Sequence, residues 1–426
     1  MSLSISPPVV LGIAGIGGYA GSIRNLVLSC AKPHPQLGGP WIRLAAVCEP
    51  DQELHQETIA QLRQQGVAVH SDLTSMLRDP IEAVWLPVPI HLHRPFAEQA
   101  LAAGKAVMCE KPAAGSIDDV DAMIAARDRA GLPLAIGYQD IYSSITPAIK
   151  DALAQGGIGQ ITHATLCACW PRGADYYSRA NWAGALKRNG TWVLDSPVNN
   201  ALAHYLNVAL FFLGPTAGES AQPRNVTAEL YRVNPIENYD TVSMRLTLDG
   251  GVTVLVNFTH ACAVPHHPRL TIHGQRGRLR WLSQGDPVLE DADGRPVQTF
   301  KRTGLRRENM IKRFACAVRG LACPDVALAT LEVARAQALA VNGASEASPV
   351  RTIDDQFVRV VQPALGGDLR TIVGVEQIVD VCDQRNQMLH ESGLCPWTSP
   401  PGPPGSRDLT GYRHFAGPAL LPVEAK

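Results

Sequence analysis

Six residues near the N-terminus, Gly15-Ile16-Gly17-Gly18-Tyr19-Ala20, fit the pattern GxGxxG/A with Ala20 in the third place. An apolar run, 9–14, precedes them, and Ile23, Leu26, Val27 and Cys30 follow at helical spacing. Between a buried strand and an amphipathic helix such glycines let the backbone turn tightly and approach a diphosphate. The helix N-terminus then offers free N–H groups and a positive dipole end. Gly15, Gly17, Gly18 and Tyr19 are therefore expected to hold a dinucleotide. The next strand ends in Ala46-Val47-Cys48-Glu49. A carboxylate there accepts hydrogen bonds from both ribose hydroxyls and repels a 2′-phosphate, so NAD is favoured over NADP. Glu49 lies farther from the glycines than the usual ~20 residues. The Pro- and Gly-rich stretch 32–41 accounts for the excess as a long loop.

Glu110-Lys111-Pro112 closes another short apolar run. Ligands of open α/β sheets bind at the carboxyl ends of strands, so Lys111 is expected to border the cleft. A partly desolvated lysine exchanges protons with a hydroxyl more readily than a solvated one. Farther on, Asn200, His204 and Asn207 are spaced by four and three and share one helical face. His204 is a candidate acid/base or hydrogen-bonding group toward a substrate. The stretch 170–187 carries Trp170, Tyr176, Tyr177 and Trp182 in a chain that is 6% aromatic, together with Arg172 and Lys187. Flat aromatic faces with cationic donors suit a polyol, or a sugar bearing a carboxylate or phosphate. Arg172, Tyr176, Trp182 and Lys187 are the expected substrate contacts.

The elements that must position these residues fall into two textures. Over the first 140 residues, strands at 9–14, 42–47, 67–69, 83–88, 106–109 and 134–136 alternate with helical stretches. One of these helices, at 95–103, ends at Gly104, and another starts from Ser116 or Asp118. Repeated βα units predict a doubly wound parallel sheet. After about residue 150, a helix over 197–213 with Ser196 as N-cap and Pro197 in its first position is followed by strands at 226–233, 241–248, 252–258, 269–273 and 277–281. Gly250-Gly251 reads as a hairpin turn. This describes an α+β domain with a mostly antiparallel sheet. Helices are expected at 309–318, 327–341 and 371–389, and the proline-rich stretch 396–405 as an extended arm. The basic stretch Arg302, Arg306, Arg307, Lys312 and Arg313 reads as a solvated helix face or loop. The expected division is 1–150 for the dinucleotide, 151–353 for substrate and oligomerisation, and 354–426 for a C-terminal helix and arm.

The glycine loop, Pro87-Val88-Pro89-Ile90-His91-Leu92-His93, Ala103-Gly104-Lys105, Glu110-Lys111-Pro112 and Gly157-Ile158-Gly159, in this order, resemble the Gfo/Idh/MocA family (glucose-fructose oxidoreductase, inositol dehydrogenase and rhizopine-catabolism proteins). Ile272-His273-Gly274 with Gly277 resembles that family's second-domain strand turn. The resemblance implies a Rossmann-type N-terminal domain and a nicotinamide-dependent oxidoreductase acting on sugars, cyclitols or related alcohols. It also implies a catalytic Lys111, with Glu110 and the turn of Pro87 and His91 near the nicotinamide. The family's Asp at the head of the second-domain helix corresponds to Asp195. Pro197 stands where the family has Gly, and Asn199 where it has His. Lys111 with Asp195 or His204 is the expected proton-transfer set, and Asn199 and Asn200 join the expected substrate contacts.

The chain has 426 residues, a net charge of −1 and 18% charged residues. Such a balance gives no electrostatic grip on nucleic acid or anionic lipid. No apolar run is long enough to span a membrane, and residues 1–8 lack the basic start of a signal peptide. Ten cysteines without a CxxC pair read as buried thiols of a cytoplasmic protein, and no metal site is expected. An antiparallel sheet of this size suggests a homodimer or homotetramer. Two rival readings stand beside the dehydrogenase. One is a glycosidase that uses NAD for transient oxidation and elimination. The other is an inactive nucleotide-binding protein.

Overall fold

The computed structural model describes residues 7–36, 38–363, 367–398 and 405–420. The chain opens with β1 (Val9–Ala14), α1 (Gly18–Cys30), β2 (Ile42–Cys48), α2 (Gln56–Gln64), β3 (Ala68–His70), α3 (Leu73–Met76), β4 (Ala83–Leu86), α4 (His93–Ala102), β5 (Ala106–Cys109), α5 (Ile117–Ala130) and β6 (Leu134–Ile136). Among the described residues, six strands form a sheet in the order β3-β2-β1-β4-β5-β6, with every pairing parallel. β4, β5 and β6 are buried at every position, as helices on both faces of a parallel sheet require. The strand order reverses between β1 and β4, which opens a crevice at the carboxyl ends of those strands. α1 buries Ala20, Ile23, Val27 and Cys30. Burial of a side chain such as Ile23 or Val27 contributes about 1.5–3 kcal/mol. Pro95 falls in the first turn of α4, where a missing N–H is no loss.

The chain continues with α6 (Ile145–Ala154), β7 (Ile161–Cys169), α7 (Ala174–Ser178), β8 (Lys187–Arg188), β9 (Thr191–Trp192), α8 (Ala203–Phe212), β10 (Pro223–Arg232), β11 (Thr241–Leu248), β12 (Thr253–Thr259), β13 (His266–Gly274), β14 (Gly277–Leu282), β15 (Val288–Asp291) and β16 (Pro296–Thr299). Then come α9 (Arg306–Val318), α10 (Leu331–Ala347), β17 (Val350–Thr352), β18 (Val358–Val361), β19 (Leu369–Ile372), α11 (Val375–Arg385) and β20 (Gly405–Asp408). Among the described residues, ten strands make the second large sheet, in the order β16-β15-β14-β13-β7-β12-β11-β10-β17, with β20 also on β10. Only the β7–β12 and β10–β17 pairings are parallel. Gly250 and Gly251 turn from β11 to β12 with φ of 82° and 83°, a conformation that suits glycine.

Several expectations are corrected. The helix expected over 197–213 begins at Ala203, and turns occupy 197–202. Ser196 Oγ donates to the Leu194 carbonyl and caps nothing. Asn199 Nδ2 donates to Val193 O at 3.0 Å, and side-chain bonds of this kind compete with helix. The stretch 371–389 divides into the end of β19 and α11. β7, near the middle of the second sheet, and α6 were not foreseen. Of the proline-rich arm, residues 399–404 lie outside the described residues. Beyond them β20 pairs antiparallel with β10 at an edge of the sheet. The chain forms two compact units. The first comprises the chain up to Ala114, Asp119–Pro147 and Thr303–Arg335, and the second Gly115–Asp118, Ala148–Arg302 and the chain from Ala336. A linear division at 150 and 353 leaves out the return of Thr303–Arg335 to the first unit.

Candidate active site

In the first unit the glycine loop closes on the end of β2. Gly15, at φ 94°, donates its N–H to Cys48 O at 2.7 Å. Gly17 is the N-cap of α1, and its extended backbone offers no side-chain cap to the first turn. The first-turn N–H groups of α1 therefore have no capping side chain. A Cβ on Gly17 would stand 2.7 Å from the His55 ring, which would have to shift to admit a side chain there. Glu49 is buried, and its Oε2 accepts from Ile16 N–H and its Oε1 from Asp51 N–H, each at 3.1 Å. A carboxylate has about four lone-pair positions, so two of these bonds leave acceptor capacity for ribose hydroxyls.

The ends of β4 and β5 are joined by a histidine that the sequence reading did not select. His93 is buried in the first turn of α4. Its Nδ1 lies 2.8 Å from Pro112 O, and its Nε2 lies 2.9 Å from Val88 O. It thus ties the turn holding Pro87 and His91 to the Lys111–Pro112 turn. Burial pushes the His93 pKa down, against the pull of the neighbouring carbonyls. Glu110 is 4% exposed, with Trp85 Nε1 donating to Oε1 at 3.2 Å and Lys111 N–H to Oε2 at 3.4 Å. Burial raises its pKa, and Lys111, Trp85 and Arg307 oppose the rise. The Tyr19 hydroxyl pKa is pushed up by burial and by the Glu110 carboxylate, with Arg307 opposing the rise. Lys111 is half-buried where β5 ends, and the Lys111–Pro112 peptide is cis.

The second unit carries a polar cluster centred on Asp195, which is 2% exposed. Its Oδ2 accepts from Gly184 N–H and its Oδ1 from Asn200 Nδ2, both at 2.6 Å. Arg179 stands 4.0 Å from Oδ2. Asn200 also reaches the Tyr176 hydroxyl at 3.4 Å. The Arg179 guanidinium lies over Tyr176 at 3.6 Å and over Trp182 at 4.7 Å, and that of Arg172 over Trp170 and Tyr176 at 4.7 Å each. His204 is the one residue of α8 that is not buried. The structure thus gathers Asp195, Asn200, Arg172, Tyr176 and Trp182. Asn199 is turned to packing, bonded to Val193 O and Gln337. Lys187 is exposed on the β8–β9 hairpin, 3.7 Å above the Trp192 ring.

Arg179 and His260 are the residues of this cluster that sequence reading passed over. His260 follows β12, and its ring lies 6.1 Å from that of Tyr176. Its Nδ1 is 2.7 Å from Trp170 O and must carry the proton to bond there. Burial, then Arg172 and Arg179, push its pKa down to about 3, so the ring is neutral. Its Nε2 is then a buried acceptor with no protein partner, and the neighbouring Arg172 Nε is a buried donor in the same condition. Buried orphan polar atoms are rare in folded proteins and mark places where another group completes the bonding. No group of three or more His, Cys, Asp or Glu among the described residues is placed to hold a metal ion.

Comparison with known proteins covers both parts of the chain that carry these clusters. Residues 9–138 match the model of an oxidoreductase family with a NAD-binding Rossmann fold. Residues 147–280 match the Gfo/Idh/MocA C-terminal domain. A D-apiose dehydrogenase of Paraburkholderia graminis is 28% identical over 276 residues, which are 60% of this chain and 65% of that relative. The inositol 2-dehydrogenase of Rhizobium meliloti is 24% identical over 252 residues, 56% of this chain and 70% of its own length. The WlbA dehydrogenase of Bordetella pertussis, crystallised with NADH and UDP-GlcNAcA, superposes with a TM-score of 0.61 at 22% identity, over 78% of this chain and 92% of that one. The uncapped α1 turn and the acceptor Glu49 suit a dinucleotide. The chain belongs to the Gfo/Idh/MocA oxidoreductase family, with a NAD-binding Rossmann domain followed by that family's C-terminal domain.

Proposed function

We propose that this oxidoreductase moves a hydride between a carbinol carbon of a sugar, cyclitol or related polyol and NAD, with Lys111 exchanging the hydroxyl proton. The observation that carries the reading is Lys111 itself. It stands at the carboxyl end of β5, a strand paired on both sides in a NAD-binding sheet, next to a buried carboxylate, in a turn held by His93. Bound nicotinamide supplies the hydride acceptor or donor. Gly15, Gly17, Gly18 and Tyr19 hold the diphosphate, and Glu49 takes the ribose hydroxyls and disfavours NADP. Pro87, His91 and Glu110 frame the nicotinamide end. Either Asp195, which is fixed by Gly184 and Asn200, or His204 of α8 works with Lys111 in moving the hydroxyl proton.

Tyr176 and Trp182 offer rings to the C–H faces of a sugar. Arg172 offers a charge and His260 Nε2 a hydrogen-bond acceptor. Relatives named for an aldose and a cyclitol support a polyhydroxylated substrate. The glycosidase alternative gains no support from them. The proposal includes a homodimer or homotetramer in the cytoplasm. No helix among the described residues is long and apolar enough to cross a membrane.

The test is NADH formation or consumption by the full chain across a panel of aldoses, cyclitols and sugar acids, each with NAD and NADP. Turnover that Lys111→Ala abolishes, with NADH binding retained, supports the reading. Near-normal turnover in that variant, or free sugar released from an aryl glycoside without net NADH, refutes it.

A further inference from the structure

The basic stretch after β16 was expected to be a solvated helix face or loop. Two of its arginines instead lie against the dinucleotide-binding unit, to which α9 belongs. Arg306 forms an ion pair with Asp140, a carboxylate 3% exposed in the turn after β6. Arg307 Nε donates to Gln139 Oε1 at 2.9 Å. These two bonds hold the start of α9 beside the carboxyl end of the parallel sheet. The Arg307 guanidinium lies 5.9 Å from the centre of the Tyr19 ring. Tyr19 belongs to the first turn of α1, which has neither a capping side chain nor an acidic residue. The charge of Arg307 is felt at both Tyr19 and Glu110, where it opposes the upward push of burial.

A guanidinium has five N–H donors in a rigid fork, of which Gln139 takes one. Arg307 is half-buried, so its reach is restricted but open to a ligand. A cation fixed beside an uncapped helix N-terminus is suited to a group carrying two negative charges. The dinucleotide's diphosphate is such a group, and it is expected at this helix turn.

We propose that Arg307, carried by α9 from far along the chain, binds the diphosphate of the dinucleotide. The inference rests on the glycine-loop cofactor site proposed above. Arg307 adds the fork geometry and fixed charge that glycine N–H groups lack. Arg306 acts as a positioning residue through Asp140.

The test is calorimetric or fluorescence titration of the full chain with NADH, ADP-ribose and adenosine. Arg307→Gln keeps a donor toward Gln139 and removes the charge. It is expected to raise the Kd of NADH and ADP-ribose about tenfold, or ~1.4 kcal/mol. Adenosine binding should stay unchanged, and the dependence of the ADP-ribose Kd on salt should flatten. Arg307→Lys keeps the charge and should lose less. An ADP-ribose Kd within about twofold of wild type in Arg307→Gln overturns the inference. An equal loss of adenosine binding overturns it too, because Arg307 would then shape the pocket without contacting phosphate. Failure of the wild type to bind ADP-ribose overturns the glycine-loop reading and this inference with it.

Discussion

Gly137→Ala tests how tightly the Lys111 turn is built. The new Cβ would stand 2.8 Å from Glu110 Oε2, 2.9 Å from its Cδ and 3.0 Å from Oε1. Ordinary contact begins near 3.4 Å, so the carboxylate must give by about 0.6 Å. Glu110 is 4% exposed, with Trp85 on one oxygen and Lys111 N–H on the other. The Trp85 bond is already 3.2 Å long and has little slack. Overpacking of this kind costs about 1–3 kcal/mol, and a weakened buried hydrogen bond adds about 1 kcal/mol. The expected loss is therefore about 2–4 kcal/mol, which for a unit of this size lowers the melting temperature by roughly 5–15 °C. Urea denaturation of the full chain gives the stability and stopped-flow turnover gives kcat. Because Glu110 precedes Lys111, kcat should fall more than NADH affinity. Stability within about 0.5 kcal/mol of wild type, with kcat unchanged, would mean that Glu110 moves freely and that the turn is not held as described.

Lys111→Ala should lower kcat by about 10²–10⁴-fold while leaving NADH binding and the melting curve near wild type, since Lys111 is only half-buried. Asn200→Ala removes a 2.6 Å bond to Asp195. It should cost about 1.4–2 kcal/mol, or 10- to 30-fold, in kcat/KM, without changing the NADH Kd. His260 is neutral in the fold, with its pKa depressed to about 3 from 6.5. Its contribution to stability is complete above pH 6.5 and is lost as the pH falls toward 3. Between pH 7 and pH 5, His260→Asn should therefore lose about 2 kcal/mol less stability than wild type. Equal losses in the two proteins would refute the neutral, buried assignment.

The first unit was legible because its signals are local. Each βα step has its own apolar run and its own glycine or cap, and parallel strands buried on both faces read as continuous apolar stretches. The Glu110-Lys111-Pro112 turn was equally visible, being contiguous. β7 was missed because in Ile161–Cys169 the strand-forming Ile and Thr are interrupted by Ala, Cys and His, which carry little strand signal alone. Its burial comes from β12 and β13, strands formed far later in the chain. The start of α8 was misread because Pro197 and the apolar spacing after it suggest helix. What decides it is where the Asn199 and Asn200 side chains go, to Val193 O and to Asp195. His260 could not be picked out at all. Its state depends on the Trp170 carbonyl 2.7 Å away and on two arginines, none of which neighbours it in sequence.

The return of Thr303–Arg335 to the first unit has a consequence for synthesis. α9 supplies Met310, Ile311 and Phe314 as buried side chains, and Arg319 Nη2 donates to Glu82 Oε2 at 2.8 Å, just before β4. A nascent chain ending near residue 150 lacks all of these, so the parallel sheet emerges from the ribosome with one flank bare. At about 5–20 residues per second, the missing helix follows some 10–40 s later, after β7 and β10–β16 of the second sheet have been made. The cofactor unit is thus started first and completed near the end of translation, and a fragment cut at its apparent boundary should need a chaperone or aggregate.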